Sequence, residues 1–337
     1  MADSAAFPPE GEILVLGRGD IRRLLPMPTC ITLMREALTA AMGADARAPL
    51  RTVMAVPGFN ALLGVMPGFL PPDRLGIKVL TVSPENLAHG LSSHRGAVLL
   101  FDPAFGRLLA ILDASEITAV RTAAASAVAT DVLARKDAHI LAILGCGEQA
   151  QRHVEAMRAV RPVTEIRLWG RSPERAQAFA ARHLVPLAGL RHEVAPTVRE
   201  AIAGADLICA VTSAGTPILA GADIAPGAHV NLVGASRPDE READDDVVAC
   251  GRVFVDLLPA ALAQGGEIRS AIAAGRFRAE DIAGQIGEVI AGGRPGRRGE
   301  AEITVYKSLG VSPQDIASAA FLVERARLEG AGTRVPF

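Results

Sequence analysis

Residues 139–150 read His-Ile-Leu-Ala-Ile-Leu-Gly-Cys-Gly-Glu-Gln-Ala, an apolar run that stops at Gly145, turns through Gly147 and enters a helical stretch at Ala150. That order of residue types suits a dinucleotide. Gly145 permits a tight turn, Gly147 lets the backbone approach a pyrophosphate, and the small Ala150 lets the helix pack close to the strand. Glu148 and Gln149 complete a turn whose helix offers N–H groups to phosphate. Context strengthens the motif: a buried-strand pattern precedes it, a helix follows, and a second strand, Glu165–Trp169, arrives about where such a fold requires. The alternative is a tight strand-to-helix turn that holds no nucleotide. The end of the second strand bears on which nucleotide is bound. It reads Trp-Gly-Arg-Ser-Pro-Glu-Arg from Trp169 to Arg175, with no carboxylate at the strand tip for a ribose 2′-hydroxyl. Arg171 and Arg175 can instead pair with a 2′-phosphate, and the Ser172 hydroxyl adds a donor. NADPH is therefore the expected cofactor and NADH the alternative. The bland reading has Arg171 stacked on an adenine and Arg175 solvated.

Hydrophobic periodicity supplies the elements that must position these groups. From Glu12 to about Asp113 it predicts a strand at Ile13–Leu16 and a helix over Ile31–Met42. Strands follow at Leu50–Val56, Ala61–Val65, Ile77–Val82, Ala97–Phe101 and Leu108–Leu112, with Gly106 in the hairpin between the last two. Successive strands without intervening helices predict a largely antiparallel sheet in an α+β domain. An alanine-rich helix, about Ser115–Leu133, leads into segments that alternate strand and helix: 139–145, 149–160, 164–169, 173–183, 197–203, 206–211, 228–233 and 253–256. Alternation of that kind implies parallel βαβ units. A last helix, about Pro313–Leu328, has no strand after it and is expected to pack back on the first domain. Residues 292–299, rich in glycine and arginine, form a loop. The expected class is α/β: a Rossmann nucleotide-binding domain over residues 121–310 and an α+β domain over 1–120 plus 311–337.

Composition narrows the partners. A chain of 337 residues fits two domains, and 50% hydrophobic residues are ample for two interiors, yet no segment approaches the length of a bilayer span. The opening Met-Ala-Asp-Ser-Ala-Ala-Phe-Pro-Pro-Glu lacks the basic start and apolar core of a secretory leader, so cytoplasmic residence is expected. Cys30, Cys146, Cys209 and Cys250 are scattered without paired spacing, which predicts buried thiols and neither disulfides nor a metal site. A net charge of −2 with interspersed signs offers no stripe for nucleic acid. The ligand should be small.

The sequence resembles the ornithine cyclodeaminase/mu-crystallin superfamily over nearly its whole length, nearest to the mu-crystallin-like ketimine reductases. The resemblance is carried by Leu-Gly-Val-Met-Pro from Leu63 to Pro67, the runs Ala97–Phe101 and Leu112–Asp113, and Ile-Thr-Ala-Val-Arg-Thr-Ala-Ala from Ile117 to Ala124. Further on it is carried by Gly-Ala-Ser-Arg-Pro-Asp from Gly234 to Asp239, Gly-Glu-Val-Ile from Gly287, and Tyr-Lys-Ser-Leu-Gly from Tyr306 to Gly310. It implies a homodimer formed through the α+β domain, with substrate held between that sheet and its own nucleotide domain. It also implies that Arg51, Lys78 and Arg121 hold a substrate carboxylate, that Thr122 reaches the pyrophosphate, that Val211 and Thr212 line the ribose side, and that Ser236 and Ser308 approach the nicotinamide.

The residue types suit those roles. An imino carboxylate needs a fixed anion clamp, which guanidinium supplies with parallel donors and ammonium with a movable one. Lys78 lies in an apolar strand, where the alternative is a side chain snorkelling from an edge. Arg121 is surrounded by small residues in a helix, and Arg51 precedes an apolar strand. His94, in Ser-Ser-His-Arg before a strand, is a secondary candidate for acid chemistry because imidazole titrates near neutral pH; otherwise it is an ordinary loop residue. Asp113 and Asp239 are expected to cap turns or brace arginines. Cyclodeaminating members of the family carry an aspartate and a glutamate where this chain has Ser236 and Gly64. Removing hydride from an amino acid requires a base for the amine proton, whereas a protonated cyclic ketimine needs chiefly hydride and an anchor. The expected activity is NADPH-dependent reduction of a cyclic ketimine carboxylate to proline or pipecolate, with Lys78 or a water near it as the proton source. The alternatives are an NAD(P)-dependent amino acid dehydrogenase, an ornithine cyclodeaminase, or a non-catalytic NADP-binding protein.

Overall fold

The computed structural model describes residues 11–337, so the opening segment on which the leader argument rests lies outside the described residues. Contacts divide the chain into two compact units, one running up to Arg121 and resuming at Val311, the other covering Thr122–Gly310.

The first unit is a seven-stranded sheet. Its strands are β1 (Glu12–Leu16), β2 (Thr52–Ala55), β3 (Leu62–Leu70), β4 (Arg74–Val82), β5 (His94–Phe101), β6 (Leu108–Asp113) and β15 (Thr333–Pro336), in the spatial order β15-β1-β6-β5-β4-β3-β2. All pairs are antiparallel except β1 with β6. The β5–β6 hairpin turns at Gly106, which has φ of +71°. Gly64, Met66, Gly68 and Leu70 of β3 and Gly76, Lys78 and Leu80 of β4 are buried because helix α11 (Ser312–Glu329) lies on that face. A Cβ on Gly68 would come within 2.5 Å of the Ser312 hydroxyl, so glycine there lets helix and sheet meet.

Two expectations are corrected in this unit. Helix α11 is followed by β15, which pairs with β1; four exposed residues carry no buried alternation, and only a distant partner makes them a strand. The early helix begins sooner than its periodicity suggests, as α1 (Arg18–Leu24) and α2 (Met27–Ala40), because Pro28 starts α2 at its first turn.

The second unit is an eight-stranded sheet in which every pairing is parallel. It contains β7 (Ile140–Leu144), β8 (Glu165–Trp169), β9 (Arg191–Val194), β10 (Leu207–Ala210), β11 (His229–Leu232), β12 (Arg252–Val255), β13 (Gly284–Gln285) and β14 (Thr304–Lys307). The order β13-β12-β14-β11-β10-β7-β8-β9 reverses direction at β7, where the chain first runs outward to β9 and then crosses back to β10. Among its helices are α4 (Glu148–Val160) and α5 (Pro173–His183). Helix α3 (Ala114–Leu133) spans the boundary between the units in the chain, and Asp113 caps it by accepting from the Glu116 N–H at 2.7 Å. It is buried on all faces, which is why its alanine-rich sequence shows almost no amphipathic period. The four cysteines are free thiols; Cys30 and Cys209 are buried, but Cys250 is exposed.

Candidate functional site

In the first unit, Lys78 on β4 stands opposite Met66 on β3 and Val98 on β5, so its ammonium enters the layer under α11. A lone buried ammonium would lose its proton, and this one is met by Asp315. Lys78 Nζ lies 2.8 Å from Asp315 Oδ2, and Arg121 Nε lies 2.9 Å from Oδ1 of the same carboxylate. Arg121 Nη1 also donates to Gln314 Oε1 at 2.8 Å. Lys78, Arg121, Gln314 and Asp315 are all buried.

The electrostatics follow from crowding cations in a dry place. Burial pushes the Lys78 ammonium down and Arg121 pushes it further; Asp315 opposes both, and the result is about 7. Burial pushes the Asp315 carboxyl up, but Arg121 and Lys78 outweigh it and hold it below the usual carboxylate range. Arg51, just before β2, also lowers Lys78. His94, the first residue of β5, feels the same charges: burial first, then Lys78, Arg121 and Arg51 lower its imidazole to about 4. The structure thus brings together Arg51, Lys78, His94 and Arg121. It corrects the ground on which His94 was taken as an acid, since an imidazole held at about 4 is neutral at pH 7 and offers a hydrogen-bond donor in place of an imidazolium proton. Its Nδ1 lies 3.0 Å from the Ser93 hydroxyl.

Gln314 and Asp315 are the residues that sequence reasoning missed. The signal was an acid beside Ile316 and Ala317 in the first turn of a helix whose start is buried on every side. The site still has unmet hydrogen-bonding capacity. Among the described residues, the buried Gln314 Nε2 and Ser312 Oγ find no partner, and a buried donor without one carries a penalty that a polar ligand would relieve.

In the second unit, the turn after β7 is built for close approach. Gly145 has φ of +125°, and a Cβ there would come within 2.9 Å of the Val211 carbonyl oxygen, so the residue must be glycine on both counts. Gly147 caps α4 in extended conformation, and a Cβ on it would meet nothing within 4 Å. Open space over Gly147 and the first N–H groups of α4, at Glu148, Gln149 and Ala150, fit a pyrophosphate. The turn lies at the carboxyl ends of β7 and β10, the point where the strand order reverses and where doubly wound sheets hold nucleotides.

At the tip of β8, Arg171 and Arg175 are exposed, and neither guanidinium has an ion-pair partner among the described residues. Ser172 accepts from the Arg175 N–H at 3.2 Å and donates to Glu174 at 2.7 Å. That qualifies one expectation: the Ser172 hydroxyl, read as a donor for a 2′-phosphate, is turned toward Glu174 in the first turn of α5.

Thr212 is likewise engaged. Its N–H and hydroxyl donate to Glu242 Oε1 at 2.6 and 2.7 Å, while Gly234 N–H donates to Glu242 Oε2 at 2.6 Å. Glu242 therefore ties the loop after β10 to the loop carrying Ser236, and Lys307 braces the same loop by donating to the Ala235 carbonyl at 2.6 Å. Ser308 N–H closes on the end of β11, and its buried hydroxyl has no partner among the described residues. Thr122 is buried in α3, and its carbonyl accepts from the Ser126 hydroxyl at 3.3 Å. Asp239 pairs with Arg237 at 2.8 Å and so braces an arginine.

Comparison with known proteins gives concordant results. The model of the ornithine cyclodeaminase/mu-crystallin family matches residues 12–330. The ketimine reductase mu-crystallin of Mus musculus is 40% identical over 277 residues, 82% of this chain and 84% of that protein. A Δ1-pyrroline-2-carboxylate reductase of Bacillus cereus is 36% identical over 327 residues, 96% of this chain and all of that protein. Among solved structures, Thermococcus litoralis Δ1-pyrroline-2-carboxylate reductase in complex with NADH and L-proline superposes with a TM-score of 0.93 at 34% identity, covering 96% of this chain and 100% of that one.

Proposed function

Because the chain belongs to the ornithine cyclodeaminase/mu-crystallin family, we propose that it reduces cyclic ketimine carboxylates, Δ1-pyrroline-2-carboxylate or Δ1-piperideine-2-carboxylate, to L-proline or L-pipecolate. The observation that carries this reading is the buried cluster in which Asp315 holds Lys78 and Arg121. Its cations suit a small carboxylate. Its one carboxylate is paired through both oxygens and held below the usual range, so it is a poor base. Asp315 is therefore not placed to take an amine proton in an oxidative deamination, whereas imine reduction needs a proton on the ring nitrogen, which Lys78 at about 7 can hold.

Arg121 and Arg51 clamp the substrate carboxylate, and Lys78 anchors it or holds the proton that the ring nitrogen takes up, directly or through a water. Fixing the anion aligns the C=N carbon, and alignment of reacting atoms can supply about 7–11 kcal/mol of barrier reduction in favourable cases. A nicotinamide cofactor supplies the hydride when bound. Gly145, Gly147, Glu148, Gln149 and Ala150 receive its pyrophosphate, together with Thr122; Val211 and Thr212 border the ribose, and Ser236 and Ser308 the nicotinamide. Arg171 and Arg175, exposed without ion-pair partners, favour NADPH, while Glu174 at the same tip leaves room for NADH.

A homodimer and cytoplasmic residence belong to the same reading. Strand β2 is a sheet edge with all four residues exposed, and no described helix is long and apolar enough to cross a membrane.

The deciding experiment offers the purified protein five- and six-membered cyclic imino carboxylates, ornithine, and pyruvate with ammonia, each with NADPH or NADP+ and with NADH or NAD+. The expected result is NAD(P)H oxidation with the cyclic imines, faster with NADPH. Untouched imines alongside deaminated ornithine or reductively aminated pyruvate would overturn the reading.

A further inference from the structure

We propose that Asp315 is a positioning residue that keeps Lys78 charged and turns one edge of Arg121 toward the substrate; this rests on the reading of the cluster as a carboxylate clamp. The geometry divides the labour. Asp315 Oδ2 takes Lys78 Nζ at 2.8 Å, and Oδ1 takes Arg121 Nε at 2.9 Å. The neighbouring Gln314 takes Arg121 Nη1 at 2.8 Å. Nε and one N–H of Nη1 are thereby committed to α11, and the edge formed by Nη2 with the second N–H of Nη1 is left for a ligand. Bidentate recognition of a carboxylate depends on presenting such an edge in a fixed plane.

The same carboxylate solves a problem of charge. Lys78 sits on β4 among Arg121 from α3 and Arg51 from the segment before β2, which both disfavour a proton on it, and the neutral imidazole of His94 from β5. Asp315 is the anion that faces Lys78 from α11, and it both attracts the ammonium and accepts its hydrogen bond. Asp315 itself stays ionised for two reasons. It pairs with two cations, and it sits in the first turn of an 18-residue helix, where the backbone dipole favours negative charge. Its position is stiff, because Ser312, Gln314, Asp315 and Ile316 are all buried at the start of α11. An arriving substrate carboxylate therefore meets an already aimed guanidinium and a lysine about half protonated at pH 7, a share that Asp315 sustains.

The chain makes a direct test practical, because its lysines are Lys78, Lys136 and Lys307 alone. Protein labelled with 13C at the lysine side chains gives one ε-carbon signal per lysine, and Lys78→Arg identifies that of Lys78. In Asp315→Asn the Lys78 midpoint should fall by about one pH unit or more, the size expected for losing a contacting opposite charge. The alkaline limb of kcat/KM for the cyclic imine should move down with it. For a one-unit fall the variant would then lose little activity at pH 5, about twofold at pH 6 and about tenfold at pH 8.5.

An unmoved Lys78 midpoint, or a loss of activity equal at every pH, would mean that Asp315 is only a packing residue. Should Asp315→Asn not fold, the wild-type titration decides alone. A Lys78 midpoint at about 5–6, the range of buried lysines without a partner, would show that Asp315 does not hold the proton. The titration needs no turnover, so a protein that reduces no imine refutes the assigned reaction while the Asp315 result still stands or falls by itself.

Discussion

A buried cation is tolerated only with a partner, and Lys78 and Arg121 share theirs. This makes Arg121 the sharpest residue to change. In Arg121→Met the side chain keeps an unbranched stem of the same reach as far as Nε and loses the guanidinium and its charge, while Asp315 retains Lys78, so the unit should still fold. Truncating one member of a desolvated charge contact with a ligand removes about 3 kcal/mol, or roughly two orders of magnitude in kcat/KM. Nucleotide affinity, measured by fluorescence titration with NADPH, should be unchanged. An unaltered imine rate would remove Arg121 from the clamp. Residue chemistry also set the limit of what could be read beforehand. The types and neighbours of Lys78 and Arg121 marked them as unusual, but His94 took its supposed acidity from a solution pKa. The same cations that make a clamp make a protonated imidazole costly beside it.

At the scale of elements, the β7–α4 turn was legible because everything that makes it is local: an apolar run, two glycines and a helix start within a dozen residues. Only the structure adds that Gly145 is also pressed against the Val211 carbonyl, from the strand on the other side of the reversal in order. Gly145→Ala must accept a left-handed backbone and push that carbonyl aside. The expected loss is about 2 kcal/mol of stability, seen as a lower Tm, with weaker nucleotide binding. A variant with wild-type Tm and NADPH affinity would show that the turn is not constrained as described. Several short elements between Asp245 and Ile290 escaped the sequence, although the helix at Val198–Ile202 (α6) was legible. The helices α7 (Asp245–Cys250), α8 (Leu258–Gln264), α9 (Gly266–Ala273) and α10 (Ile286–Ile290), and the two-residue β13, are too brief for a period to show. Their state is set by what they pack on.

The whole molecule has a net charge of −2 and no basic stripe, which suits a small anionic ligand met in a local cationic pocket. Its open edge is the feature most in need of a partner. Strand β2 ends the seven-stranded sheet, with Val53 48% and Met54 55% exposed, and Phe59 in the following loop is 76% exposed. A bare edge carrying apolar side chains invites pairing. A second copy of the chain is the proposed occupant. Sedimentation velocity should show a dimer for the wild type and a monomer for Val53→Lys/Met54→Lys, since the pair places an ammonium on each face of the edge strand, where a second copy would have to pack. A monomeric wild type, or a double variant that remains dimeric, would refute that interface.

The sequence by itself determined what depends on neighbours along the chain. It was enough for the alternation that makes the parallel sheet, the strand run that makes the antiparallel one, the glycine turn, and the resemblance that named the family. Tertiary structure decided which charges meet. Arg121 and Asp315 are 194 residues apart, on different helices, and no spacing rule connects them. Folding sets one carboxylate between two cations in a space too dry for any of them to stand alone. That enclosure brings Lys78 to about 7, leaves His94 neutral, and sets three scattered basic residues within one another's fields, the arrangement proposed to hold a carboxylate.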